Sequence, residues 1–113
     1  MSAEMINWDT YNNIKEMMGE EYFAELVETF LKDTANLIES LQRDLKEENI
    51  DSFRRNAHSL KSNSASLGAE RLSSLGLECE IMGKSGDLSS ADAKLEQIRS
   101  EFEFVKEEII NLS

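Results

Sequence analysis

The chain is 113 residues long, with 12 basic and 23 acidic side chains for a net charge of −11, one Cys, one His and no Pro. That length accommodates one hydrophobic core rather than two. Apolar residues at 40% against charged residues at 31% exclude wholesale disorder. The acidic excess repels phosphate backbones and anionic lipid headgroups, which sets aside nucleic acid and membrane surfaces and leaves proteins as the expected partners.

Cys79 has no second thiol with which to close a disulfide, and with His58 alone it makes no zinc site of the usual Cys/His kind. A reducing compartment, the cytoplasm, is the natural expectation. The opening residues lack the basic-then-apolar order of a secretion signal, and no uninterrupted apolar run exceeds three residues. Met1 and the compact ends point to a freestanding protein.

The absence of Pro and the abundance of Glu, Leu, Lys and Ala predict uninterrupted helices, with Gly19, Gly68, Gly83 and Gly86 as their ends and Gly76 inside one. A short first helix runs from about Asp9 as N-cap through Met18, with Tyr11, Ile14 and Met18 on one side. The second runs from near Glu20 to Lys46, where Phe23, Val27, Phe30, Thr34, Leu37 and Leu41 form a heptad seam. A turn over residues 47–49, capped by Asn49 or Asp51, opens a third helix that reaches about Ser66. Leu72, Leu75, Cys79 and Met82 line a fourth. The fifth starts near Leu88 or Ser89 and carries Leu95, Ile98, Phe102, Val105, Ile109 and Leu112. Spacing near 3.5 predicts shallow left-handed crossings, so the expected architecture is all-α, a single domain over residues 1–113: an antiparallel up-and-down four-helix bundle with an additional short N-terminal helix. Its stripes are all used internally, so a monomer is expected.

On a helical wheel Phe53, Leu60, Ser64 and Leu67 share one arc of the third helix, the core face, while His58 lies roughly 140 to 180° from Phe53, Leu60 and Leu67. Arg54 and Arg55 stand one turn before His58, and Lys61 and Ser62 one turn after it. The only His of an acidic protein is thus exposed among cations. A solvated surface residue is the default reading for such a His. Against it, neutral imidazole is a nucleophile near pH 7 that needs no separate base, and so it can take a phosphoryl group directly. The charge gained is then stabilised by an ammonium one turn away and accommodated by small neighbours, which Lys61 and Ser62 supply.

The segment Ala57-His58-Ser59-Leu60-Lys61-Ser62-Asn63-Ser64-Ala65-Ser66-Leu67-Gly68-Ala69 resembles the signature of histidine-containing phosphotransfer (HPt) domains, His-x-Leu-Lys-Gly-Ser-Ser-x-x-Leu-Gly-Ala. Phe23, Glu25, Leu26 and Phe30 are similar to the family's second helix, Cys79 and Glu80 fall where it often has Leu-Glu, and residues 83–87 resemble its Gly-containing turn. Ser62 stands where the family usually has Gly, Gly76 where it often has Cys, and Cys79 where Leu is common. Ser62 reads as a variation that keeps function, and the other two as matters of packing.

The resemblance implies a relay that accepts a phosphoryl group on His58, through Nε2, from a receiver-domain aspartyl phosphate and passes it to another receiver aspartate. It implies that Lys61 stabilises the phosphoryl charge and that Glu80 orients the ring, with an ordinary exposed carboxylate as the alternative reading of Glu80. Ser62 is itself small, and its hydroxyl offers a hydrogen bond to a phosphoryl oxygen. Docking falls to an apolar patch of Met17, Met18 and Tyr22, with Ile14 mainly capping the core, while Arg54 and Arg55 give electrostatic support. The implied partners are response-regulator receiver domains, with a hybrid histidine kinase as a further one. The chain itself needs no cofactor, metal or nucleotide, because Mg²⁺ belongs to the receiver. It has no Gly-rich phosphate loop, so ATP-dependent autophosphorylation is not expected. A non-catalytic helical adaptor is the alternative.

Overall fold

With no proline to break them and short polar turns between them, the apolar stripes fold as helices that bury one face each. The computed structural model describes residues 6–111, and its helices are α1 (Trp8–Met18), α2 (Glu20–Lys46), α3 (Ile50–Ser66), α4 (Glu70–Ser85) and α5 (Ala91–Asn111). Each of α2 to α4 packs on its successor and α5 returns to α2, closing an up-and-down four-helix bundle, while α1 lies on α2. No strand occurs among the described residues, and no helix among them is long and apolar enough to cross a membrane. Leu112, expected on the last stripe, lies outside the described residues.

Local chemistry sets the boundaries, and some differ from expectation. The N-cap of α1 is Asn7, not Asp9: its side-chain oxygen accepts from the Thr10 amide at 3.2 Å, leaving Asp9 in the first turn, where its charge favours the helix N-terminus. Asn49 rather than Asp51 caps α3, accepting from the Ser52 amide at 3.2 Å. The start of α5 is Ala91, later than Leu88 or Ser89. Ser85 Oγ takes the Asp87 amide at 3.3 Å and Asp87 Oδ1 takes the Ser89 amide at 3.1 Å, and such side-chain turns compete with helical pairing.

The core gathers Leu41, Phe53, Leu60, Leu72, Leu95, Ile98 and Val105 around one axis. In α2 the buried set is Phe23, Phe30, Thr34, Ile38, Leu41 and Asp44. Val27 and Leu37, assigned to the seam, are only partly buried, because a 27-residue helix drifts about 20° per heptad against a strict 3.5 repeat. Met82 is likewise half-buried, and the α4 core face adds Gly76, Glu80 and Gly83. Buried Asp44 receives the Asn56 amide at 2.7 Å, which ties the end of α2 to α3.

Gly83 corrects a boundary: it lies inside α4, which continues to Ser85, and Gly86 in the left-handed region ends the helix. Gly76 and Gly83 instead set an approach. A Cβ at Gly76 would stand 2.9 Å from the Lys61 nitrogen and 3.3 Å from the Ala57 oxygen, and one at Gly83 would stand 2.7 Å from Arg54 Cβ. Two glycines one heptad apart therefore let the α4 backbone lie close against α3, and Ser73 Oγ seals the contact by donating to the Lys61 carbonyl at 2.9 Å. Gly76 thus does more than adjust packing, since it governs how near α4 comes to the His58 segment.

Cys79 is fully buried in this core, and burial pushes its thiol up to about 11. A thiol raised this far is stabilising below its unfolded value and loses that contribution as pH rises through about 11. At pH 8 its thiolate is about one part in a thousand and shielded from reagents. Native protein should therefore resist iodoacetamide at pH 8 while unfolded protein alkylates fully. Rapid native labelling, read by intact mass, would contradict the packing described.

Candidate functional site

The α3 core face of Phe53, Ala57, Leu60 and Ser64 forces His58 outward, because a residue one step from buried Ala57 turns about 100° away from it. Its side chain is 56% exposed. Across the glycine-lined contact Glu80 points from α4 toward α3, and its side chain is only 5% exposed. Glu80 Oε2 lies 2.8 Å from His58 Nδ1, and Lys61 Nζ donates to Glu80 Oε1 at 2.7 Å. Lys84, one turn further along α4, brings its ammonium to 3.9 Å from Oε2.

Two oxygens thus serve two donors. The ammonium of Lys61 only donates and an ionised carboxylate only accepts, so the Nδ1 position carries the hydrogen and Nε2 of the neutral ring keeps its lone pair. The hydrogen bond from Lys61, joined by that from the His58 ring, holds the Glu80 carboxyl below the usual range against the opposing effect of burial. A lowered acid contributes stability above its unfolded value and loses it only as pH falls through the folded one. Glu80 is therefore an ionised acceptor throughout the neutral range.

Of the residues expected to act together, the fold joins His58, Lys61 and Glu80. Ser62 is exposed one turn after His58 and lines the groove between α2 and α3 with it. Lys61 is turned to Glu80 rather than left open to solvent, with its side chain 29% exposed. Arg54 and Arg55 both pair with Asp51, at 2.9 and 3.4 Å, so part of their charge is spent within α3. Arg54 packs against Gly83, whereas Arg55 extends into solvent. Met17 (85% exposed), Met18 and Tyr22 are each exposed, while Ile14 packs against the core. Tyr22 stands fourteen residues before Asn36 of the groove, roughly 21 Å along the α2 axis.

Sequence reading left Glu80 open between ring contact and ordinary surface carboxylate, and did not single out Lys84. The signal was present: Gly76, Glu80 and Gly83 share one helix face by spacing, and a carboxylate between two glycines on a packed face is not a solvated one.

Residues 25–108 match the model of the Hpt domain. The chain belongs to the Hpt domain family. Its activity is histidine phosphotransfer in a phosphorelay. Histidine-containing phosphotransfer protein B (HptB) of Pseudomonas aeruginosa PAO1 is 31% identical, with a TM-score of 0.88 over 92% of this chain and 90% of its own. The phosphorelay protein LuxU of Vibrio cholerae is 28% identical over 95 residues, 84% of each chain. Ypd1 of Saccharomyces cerevisiae, solved with the receiver domain of its downstream response regulator Ssk1, is 20% identical and shares the fold at a TM-score of 0.90, over 99% of this Hpt chain and 96% of Ypd1.

Proposed function

We propose that His58 is the phosphoryl acceptor of this Hpt chain, and that it takes the group from a receiver-domain aspartyl phosphate and returns it to another receiver. The observation that carries this reading is the buried Glu80 carboxylate holding Nδ1–H at 2.8 Å on a ring that is otherwise open to a partner. The Nε2 lone pair forms the N–P bond as the P–O bond to the receiver aspartate breaks, and the bonding pair leaves with that carboxylate. Nε2 carries no proton to lose, so the ring becomes a phospho-imidazolium whose positive charge faces Glu80, the electrostatic role of the acid in a Ser-His-Asp triad. In the reverse step the same cation is a good leaving group.

Glu80 is thus a positioning residue, Lys61 stabilises the phosphoryl oxygens on leaving or sharing its carboxylate partner, and Ser62 offers a small hydrogen-bonding neighbour. Met17, Met18, Tyr22, Arg54 and Arg55 are the docking surface. A receiver that covers both Tyr22 and the His58 groove must span about 20 Å, within reach of a domain of roughly 100 residues. Receiver partners are supported by the family and by the Ssk1 receiver bound to Ypd1 in that structure. Mg²⁺ and the acidic pocket belong to the receiver, and the carrier, a monomer, supplies no cofactor and no ATP-dependent kinase activity. The free thiol of Cys79 suits a cytoplasmic location.

The test is incubation with a phosphorylated receiver. An acid-labile, alkali-stable adduct is expected on the wild type and none on His58→Gln. Equal labelling of that variant refutes the site.

A further inference from the structure

We infer that the groove between α2 and α3 is the seat of the phosphoryl group, with the Asn36 amide and the Ser40 and Ser62 hydroxyls as its donors. This rests on His58 as acceptor. The two imidazole nitrogens sit on opposite flanks of the ring, so fixing Nδ1–H against Glu80 of α4 turns the Nε2 lone pair away from α4. The helix on the other flank of α3 is α2. Between them runs a groove of about 430 Å³ whose wall includes His58 itself, with Ser59 and Ser62 beside it and Asn36 and Ser40 opposite.

Lys61 approaches from the α4 side, where Glu80 holds it, and the donors that the groove adds to it are uncharged ones. The Asn36 amide, exposed on α2, and the Ser62 hydroxyl have no side-chain hydrogen bond to other described residues. Ser40 Oγ accepts from the Arg43 guanidinium at 3.4 Å, which leaves its own hydrogen to donate and brings a cation to that end. Asp33 marks the opposite end, seven residues or roughly 10 Å along α2 from Ser40, and its charge repels the dianion toward the Ser40 end. Specificity for a phosphoryl group thus draws on α2, a helix outside the His58 motif, as well as on Lys61 and Ser62 of α3.

Phosphoramidate tests this without a receiver, so docking effects drop out. The Nε2 lone pair forms the N–P bond as the donor's P–N bond breaks and ammonia leaves. Wild-type protein should be labelled, with the Asn36 side-chain amide resonances shifting on labelling and the phosphohistidine decaying slowly by ³¹P NMR. Asn36→Ala combined with Ser40→Ala should shorten that half-life roughly tenfold, Ser40→Asp should shorten it at least as much, and Asn36→Gln should recover most of it. An unchanged half-life in the double variant, with unmoved Asn36 resonances, overturns the groove while leaving His58 as acceptor. Wild type and His58→Gln labelling alike would overturn the acceptor, and the groove with it.

Discussion

Replacing Glu80 with Ala will slow phosphoryl transfer to His58 by roughly 10- to 100-fold. The carboxylate does two jobs through two oxygens: Oε2 holds Nδ1–H, which leaves the lone pair of the neutral ring on Nε2, and Oε1 anchors Lys61. Alanine removes both, frees the ring to rotate and to adopt the tautomer with hydrogen on Nε2, and deprives the forming imidazolium of its counter-charge. Gln separates these effects. It has one acceptor oxygen for two donors, but Lys61 is partly exposed and can turn to water while the amide oxygen keeps Nδ1–H. Glu80→Gln should therefore retain ring orientation and lose the charge, with a rate between wild type and Glu80→Ala. Single-turnover transfer from a phosphorylated receiver measures the order, and ¹⁵N chemical shifts of the ring report the tautomer. Wild-type rates in Glu80→Ala would dismiss Glu80 from the mechanism.

The second large effect is predicted at Gly76, and its sign is diagnostic. In an unencumbered helix, Gly→Ala stabilises by about 1 kcal/mol. Here the added methyl would meet the Lys61 nitrogen at 2.9 Å, a backbone atom that cannot swing aside. Forcing α4 outward costs about 1–3 kcal/mol, so Gly76→Ala should lower Tm by several degrees and Gly76→Val by roughly 5–15 °C. Because Glu80 rides on the same face of α4, transfer should slow as well, through a lengthened contact to His58. Ser74→Ala, at an exposed position of the same helix, serves as the control and should leave both quantities unchanged. A Gly76→Val protein with wild-type Tm and transfer rate would remove the close approach from the account.

Much of this was legible beforehand because helices announce themselves by period. The spacing of Leu95, Ile98, Phe102 and Val105 matches the buried face of α5, and the wheel separated His58 from Phe53 and Leu60 without any knowledge of neighbours. The places that misread were those where two residues compete for one role or where the third dimension decides. Asn7 and Asp9 are equally good caps by type, and only the backbone selects Asn7. Gly83 looks like a helix stop until Arg54 is seen packed where its side chain would be. Glu80 is one of 23 acidic residues, and its burial depends on the proximity of another helix, not on its own neighbours in the chain.

Because the reactive ring is gripped from below by a side chain rooted in a regular helix, no loop has to close and no segment has to fold for it to be ready. Chemistry and partner choice are then separable: Glu80 and the two glycines that admit it can stay constant while the outward residues of α1 and α2 are exchanged. Such a carrier could be redirected to a new correspondent by resurfacing alone, with the poise of its nucleophile left untouched.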